Sequence, residues 1–293
     1  FKLVSINVSR FDANKHLALA VVGDAKVSLD ELSLALGDWK AGEEWNKKSQ
    51  VELKAWNEYV DKESAPSNQE VPSYVQVIGA IYKNSDPSDI AVTAAGGLVG
   101  EVIQVWRPRE LNTHETEWGF SCMSYEISGA LGIKMANPDK EVISFVGDGS
   151  YLLNNTDIYS SVITNNKLII IVCDNGGFAV INRLQLFKGG NEYNNLLKSS
   201  NTPGLVDIDF AKHAESMGAK SEHVSSISDL EEAFKRAKKS KVTYVISIKT
   251  HAYQWLEGSA FWDSPTLEVP TTKENKEALR LYKEGKSKQR QGV

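Results

Sequence analysis

Two short stretches of this 293-residue chain carry residue types suited to holding a cation and a phosphate. Gly147-Asp148-Gly149-Ser150 ends the apolar run 142–146, and Asp174-Asn175-Gly176-Gly177-Phe178 ends the apolar run 168–173. Strand, helix and second strand together read as one βαβ unit, whose right-handed crossover brings both strand C-termini to one edge of a sheet. Asp148 and Asn175 stand 27 residues apart and converge if their strands are near neighbours. Gly149 and Ser150 open a helix, where free backbone N–H groups and the helix dipole favour a phosphate. Asp148 would repel that phosphate unless a cation lay between them. A carboxylate oxygen, an amide oxygen and a loop carbonyl are hard donors suited to Mg²⁺ or Ca²⁺, and Mg²⁺ would complete an octahedron with phosphate oxygens and water. The pair of loops therefore reads as a metal-bridged diphosphate site. As a dinucleotide fingerprint, the run 147–152 lacks its third glycine and gives its Asp no role. Either loop alone would pass for a tight strand-to-helix turn; the two at this spacing point to a site.

The surrounding pattern supplies the elements that must position these loops. Across 71–265, helix signals at 74–82, 125–135, 151–164, 209–217 and 230–237 alternate with strand signals at 90–93, 142–146, 168–173 and 243–248. Such alternation predicts an α/β fold with a doubly wound parallel sheet. Residues 1–36 hold apolar strands at 2–8 and 17–22 and a helix at 28–36 with Ser28 as its cap. Those strands read as parts of a sheet covered on both faces, yet two strands make no independent domain. With Phe1 in place of an initiator Met, the expectation is a fragment of a longer chain whose upstream part completes that sheet. Residues 37–70 form a charged helical linker with Trp45, Leu53, Trp56 and Val60 near helical spacing, the domain proper runs over 71–270, and 271–293 is a charged tail. The balance of 33 Lys and Arg against 38 Asp and Glu gives a net charge of −5, with no sequence-wide basic footprint for nucleic acid. No apolar run approaches bilayer length, and two cysteines make no disulfide framework, so neither membrane nor nucleic acid is an expected partner and the expected setting is reducing and cytoplasmic. The five histidines show no zinc spacing.

GDGS with a DNGGF element 27 residues after its Asp resembles the cofactor motif of the acetolactate synthase and pyruvate decarboxylase superfamily. That resemblance implies thiamine diphosphate and Mg²⁺, with Asp148, Asn175 and the Gly177 carbonyl on the metal and Gly149 and Ser150 on the diphosphate. Asp174 departs from the family's usual Asn at the position before the presumed ligand. The stretch Cys122-Met123-Ser124-Tyr125-Glu126 is similar to the one that supports the bent cofactor, and Met123 would be the apolar prop; filling the core is its plain alternative. Ala95-Gly96-Gly97-Leu98 is similar to the start of the cofactor region and adds Gly97 and Leu98 as diphosphate contacts. More narrowly, HETEWGFSCMSYEISGALGIKMANPDKEV, CDNGGFAVINRLQ and IDFAKHAESMGAK resemble the trihydroxycyclohexanedione hydrolases of inositol breakdown, and INVSRFDANK resembles the end of their Rossmann-like middle domain.

The narrower resemblance implies hydrolytic C–C cleavage of a small polyhydroxylated cyclic 1,2-dione to 5-deoxy-glucuronate, in a homodimer or homotetramer. It also implies that the activating glutamate sits on a separate pyrimidine-binding domain of the same or a partner subunit; no residue here is assigned that catalytic role, and this chain alone is expected to bind cofactor poorly and not to turn over. Two alternatives stay open: another thiamine-diphosphate lyase or synthase, or a non-catalytic cofactor-binding fragment. Glu117 reads as a solvated carboxylate near Met123. His114, His251, Gln254, Asn182 and Arg183 are weaker candidates for facing a polyol, and Cys122 and Cys173 read as inert residues in apolar contexts.

Overall fold

A computed structural model describes all residues except 1, 68, 118, 258–262, 265 and 290–293. The chain divides into two units, one comprising Phe1–Ala55, Ala260–Pro265 and Arg280–Val293, the other Trp56–Ser259 and Thr266–Leu279. In the first, β1 (Val4–Asn7) and β2 (Leu19–Val22) pair in parallel with Val4 opposite Leu19. They pack against helices Arg10–Ala13 and Ala25–Leu36. Val4, Leu19 and Val22 are exposed, because two strands with short helices cannot bury both faces of their sheet. The second helix starts at Ala25, earlier than its apolar periodicity suggested, because Asp24 is its cap and accepts from the Val27 N–H at 3.0 Å.

In the second unit, six strands form one parallel sheet: β3 (Ile90–Thr93), β4 (His114–Thr116), β5 (Val142–Gly147), β6 (Ile169–Asp174), β7 (Lys220–Val224) and β8 (Tyr244–Lys249). Their order is β4-β3-β5-β6-β8-β7. Central strands are apolar throughout and send alternate side chains to opposite faces. Ile143, Phe145, Ile169, Ile171 and Cys173 join one core with helices Tyr74–Asn84, Gly96–Val105 and Ile227–Lys239. Val142, Val146, Ile170 and Val172 join the other, with helices Tyr125–Ala136, Asp157–Ile163 and Phe210–Ser216. Trp56, Tyr59 and Val60 pack into the first core.

The expected helix over 151–164 is two helices, Asp148–Leu153 and Asp157–Ile163. Asn154, Asn155 and Thr156 separate them, and the Asn155 amide bonds back to the Tyr151 carbonyl at 3.0 Å in competition with helix continuation. Strands β4 and β7 escape a pattern-based reading because they are short, polar, half-exposed edges. The chain runs outward from β3 to β4 and then returns to β5 on the other side. That reversal opens a crevice at the C-terminal ends of β3 and β5, the place where α/β sheets take ligands.

Candidate functional site

All eight residues singled out for cofactor or metal line this crevice. Gly97 and Leu98 come from the first turn of the helix after β3, which begins at Gly96 with φ of 77°. Asp148, Gly149 and Ser150 form the first turn after β5. Asn175 and Gly177 follow β6, and Met123 precedes helix Tyr125–Ala136. Met123 is 37% exposed, so it does not fill the core.

Asp148 is 5% exposed, and its Oδ1 has no hydrogen-bond partner. Burial, and then the neighbouring Asp174, push its carboxyl up to about 7, against the pull of the Gly177, Gly149 and Asn175 N–H groups. The Oδ1 of Asn175 is equally buried and unpartnered, while its Nδ2 donates to the Tyr74 hydroxyl. Two orphaned oxygens in one crevice each carry a desolvation cost of about 1–3 kcal/mol, which a shared cation would offset. Both are hard oxygen donors, and among the described residues no group of three or more His, Cys, Asp or Glu forms a rival metal site. Asp174 does not compete: Lys249 lies 2.6 Å from its Oδ2, and the Gly176 N–H donates to its Oδ1 at 3.0 Å.

Gly149 lies under the Phe178 ring, and a Cβ there would come within 2.6 Å of Phe178 Cε1. The crevice measures about 40 Å³, room for an ion with its water. A diphosphate would have to use the open side or displace that ring.

The segment after β8 binds the loops together, a role the sequence did not reveal. The Thr250 N–H donates to the Asp174 carbonyl at 2.7 Å and the His251 N–H to the Pro72 carbonyl at 2.9 Å. Trp255 backs Gly97, where a Cβ would stand 2.6 Å from the indole, and the Arg183 guanidinium lies 4.7 Å above the indole ring. The next residue, Leu256, donates its N–H to both oxygens of Glu101 at 3.2 Å, and burial pushes Glu101 up to about 7. Glu126 is fully buried behind the crevice, accepts the Ala95 N–H at 3.2 Å and is also raised by burial. Tyr74, Glu101, Glu126, Phe178 and Trp255 were all missed; a carboxylate at a core-facing position was the one available signal, and it marked only the two glutamates.

The weaker candidates lie elsewhere. Arg183 and Gln254 line a separate cavity of about 760 Å³. Asn182 is buried and donates to Glu192 at 3.0 Å, and the His114 ring bonds Thr116 at 3.0 Å. Glu117 closes its own loop by accepting the Phe120 and Cys122 N–H groups at 2.8 Å. Cys173 is buried with its thiol pushed up, whereas Cys122 is exposed, contrary to the apolar context read from sequence.

Residues 94–248 match the model of the thiamine pyrophosphate enzyme C-terminal TPP binding domain. A 3D-(3,5/4)-trihydroxycyclohexane-1,2-dione hydrolase of Clostridium tetani is 35% identical over 89% of this chain and 45% of its own length. The enzyme of the same name from Geobacillus thermodenitrificans is 34% identical over 97% of this chain and 49% of its own. The chain thus spans about half the length of the curated relatives it matches. Among solved structures, a thiamine diphosphate-dependent 4-hydroxybenzoylformate decarboxylase of Rhodococcus jostii RHA1 superposes with a TM-score of 0.55 at 22% identity, over 64% of this chain and 34% of that one. At that identity the likeness concerns the fold alone. No helix of the described residues is long and apolar enough to cross a membrane.

Proposed function

Since the chain belongs to the thiamine pyrophosphate enzymes by virtue of their C-terminal cofactor-binding domain, we propose that it is the cofactor- and metal-holding part of a trihydroxycyclohexane-1,2-dione hydrolase. The observation that carries the cofactor assignment is the pair of buried, unpartnered oxygens, Asp148 Oδ1 and Asn175 Oδ1, in one crevice at the switch point of the sheet. Asp148, Asn175 and the Gly177 carbonyl hold Mg²⁺; Gly97, Leu98, Gly149 and Ser150 contact the diphosphate; Met123 supports the cofactor from its apolar side. Thiamine diphosphate supplies the nucleophile and electron sink for breaking the ring C–C bond beside a carbonyl of the dione. This chain's residues would anchor and orient the cofactor.

The substrate assignment rests on the two hydrolases, similar to this chain over 89% and 97% of its length. In this reading residues 1–36 end a middle domain, 37–70 link it to the cofactor domain at 71–270, and 271–293 form a tail. The activating glutamate comes from a pyrimidine-binding domain of the same or a partner subunit, in a homodimer or homotetramer, so this chain alone holds cofactor weakly and does not turn over. The product is a linear deoxy-uronic acid of inositol breakdown.

Calorimetric titration of thiamine diphosphate with and without Mg²⁺ tests the site. Binding should require Mg²⁺ and vanish in Asp148→Ala; binding indifferent to both would overturn the metal assignment. With the pyrimidine-binding domain supplied, ring opening of the cyclic dione is expected, and condensation of pyruvate in its place would overturn the substrate.

A further inference from the structure

Tyr74 opens helix Tyr74–Asn84, whose start is set by a capping box between Ser73 and Gln76. Its ring is 4% exposed and meets Trp255 edge-on at 6.1 Å. The hydroxyl reaches the crevice and accepts the Asn175 Nδ2–H from a residue 101 positions away. A primary amide offers oxygen on one side and N–H donors on the other. With Nδ2 on the tyrosine, Oδ1 lies opposite, where it is buried and unpartnered in the crevice that also holds the unpartnered Oδ1 of Asp148. The reversed amide would turn N–H donors toward any cation there. Among the described residues, no group accepts the phenol's own proton, which leaves it for an acceptor entering the crevice and the phenol oxygen for Asn175.

We propose that Tyr74 is a positioning residue for the metal: its hydroxyl holds the Asn175 amide with Oδ1 turned toward the cation. The inference rests on the reading of Asp148 and Asn175 as cation ligands. Hydrogen-bond partners of metal ligands act this way in general, and losing one weakens metal binding about 10–100-fold. Phenylalanine would keep the ring and its contact with Trp255 while removing the acceptor of the Asn175 Nδ2–H, so an amide with Oδ1 on the cation would leave that N–H unpaired.

The test uses Mn²⁺ as the probe, with free Mn²⁺ read by electron paramagnetic resonance in the presence of thiamine diphosphate. Tyr74→Phe should weaken Mn²⁺ binding about 10–100-fold with its urea midpoint nearly unchanged. The same change placed on Asn175→Asp should weaken it by less than about twofold, because a carboxylate has two equivalent oxygens and needs no orienting. Unchanged Mn²⁺ affinity in Tyr74→Phe, or equal losses in both backgrounds, would overturn the proposal. If the unaltered protein takes up no Mn²⁺ with thiamine diphosphate even when the pyrimidine-binding domain is supplied, the cation reading itself falls, an outcome distinct from failure of the tyrosine alone.

Discussion

Asp148→Asn should lessen the pH dependence of the metal-free protein's stability while abolishing Mg²⁺-dependent cofactor binding. In the unfolded chain this carboxyl ionises near 3.8, whereas in the fold burial and Asp174 raise it to about 7. Between those values the unfolded chain has released the proton and the folded chain still holds it, so rising pH favours unfolding. At about 1.4 kcal/mol per unit, the full penalty is about 4 kcal/mol, of which about 3 accrues between pH 5 and pH 8. Asparagine cannot ionise. Its oxygen can take the backbone N–H groups now bonded to the carboxylate, and its amide nitrogen takes the place of the unpartnered oxygen. That buried donor costs about 1–3 kcal/mol at every pH. Urea unfolding of both proteins in chelator, at pH 5 and pH 8, isolates the charge term as a difference of differences. The unaltered protein should lose about 3 kcal/mol more than the variant over that interval. Parallel pH trends would refute the assignment of a dry, cation-seeking carboxylate at this position.

The same carboxyl makes Mg²⁺ compete with a proton, so the apparent metal affinity measured with thiamine diphosphate should fall about tenfold for each pH unit below 7. Gly177→Ala meets two obstacles, φ of 140° and a Cβ 2.5 Å from the Asn195 carbonyl oxygen. A loss of about 2–5 kcal/mol is expected in urea unfolding. Amide exchange should also accelerate at Phe178 and Leu197, whose N–H groups bond to Asn195 and Gly176. Met123→Ala should change the urea midpoint little, since that side chain is already partly exposed, yet weaken thiamine diphosphate about tenfold by removing apolar contact; a large stability loss with unchanged affinity would return Met123 to a packing role.

The βαβ unit could be read along the chain because its evidence is local. Continuous apolar runs mark β5 and β6, and the polar, glycine-rich residues that end them must appear at the strand C-termini whatever else the fold does. Asp148, Gly149, Ser150 and Asn175 follow from that adjacency; Gly177, Gly97, Leu98 and Met123 needed the family resemblance as well. Edge strands β4 and β7 left little trace, since half-exposed strands are under weak demand for an apolar pattern. Glu126 was visible only as a carboxylate within the apolar helix signal at 125–135, Glu101 lies on helix Gly96–Val105 for which no helix was expected, and neither position indicated which backbone N–H it would meet.

The sequence by itself determined the fold class, the paired loops and the identity of the oxygens that could face a cation, because apolar periodicity and turn chemistry act over a few residues. Only the tertiary structure decided that those oxygens are dry and unpartnered, and that Tyr74 meets Asn175 across 101 residues. It alone brought the segment after β8 back over Gly97 with Trp255. Those contacts depend on β8 lying beside β6 and on helix Tyr74–Asn84 packing on one face of the sheet with Tyr74 at the crevice, an order set by global packing of two apolar layers that no short stretch of chain encodes.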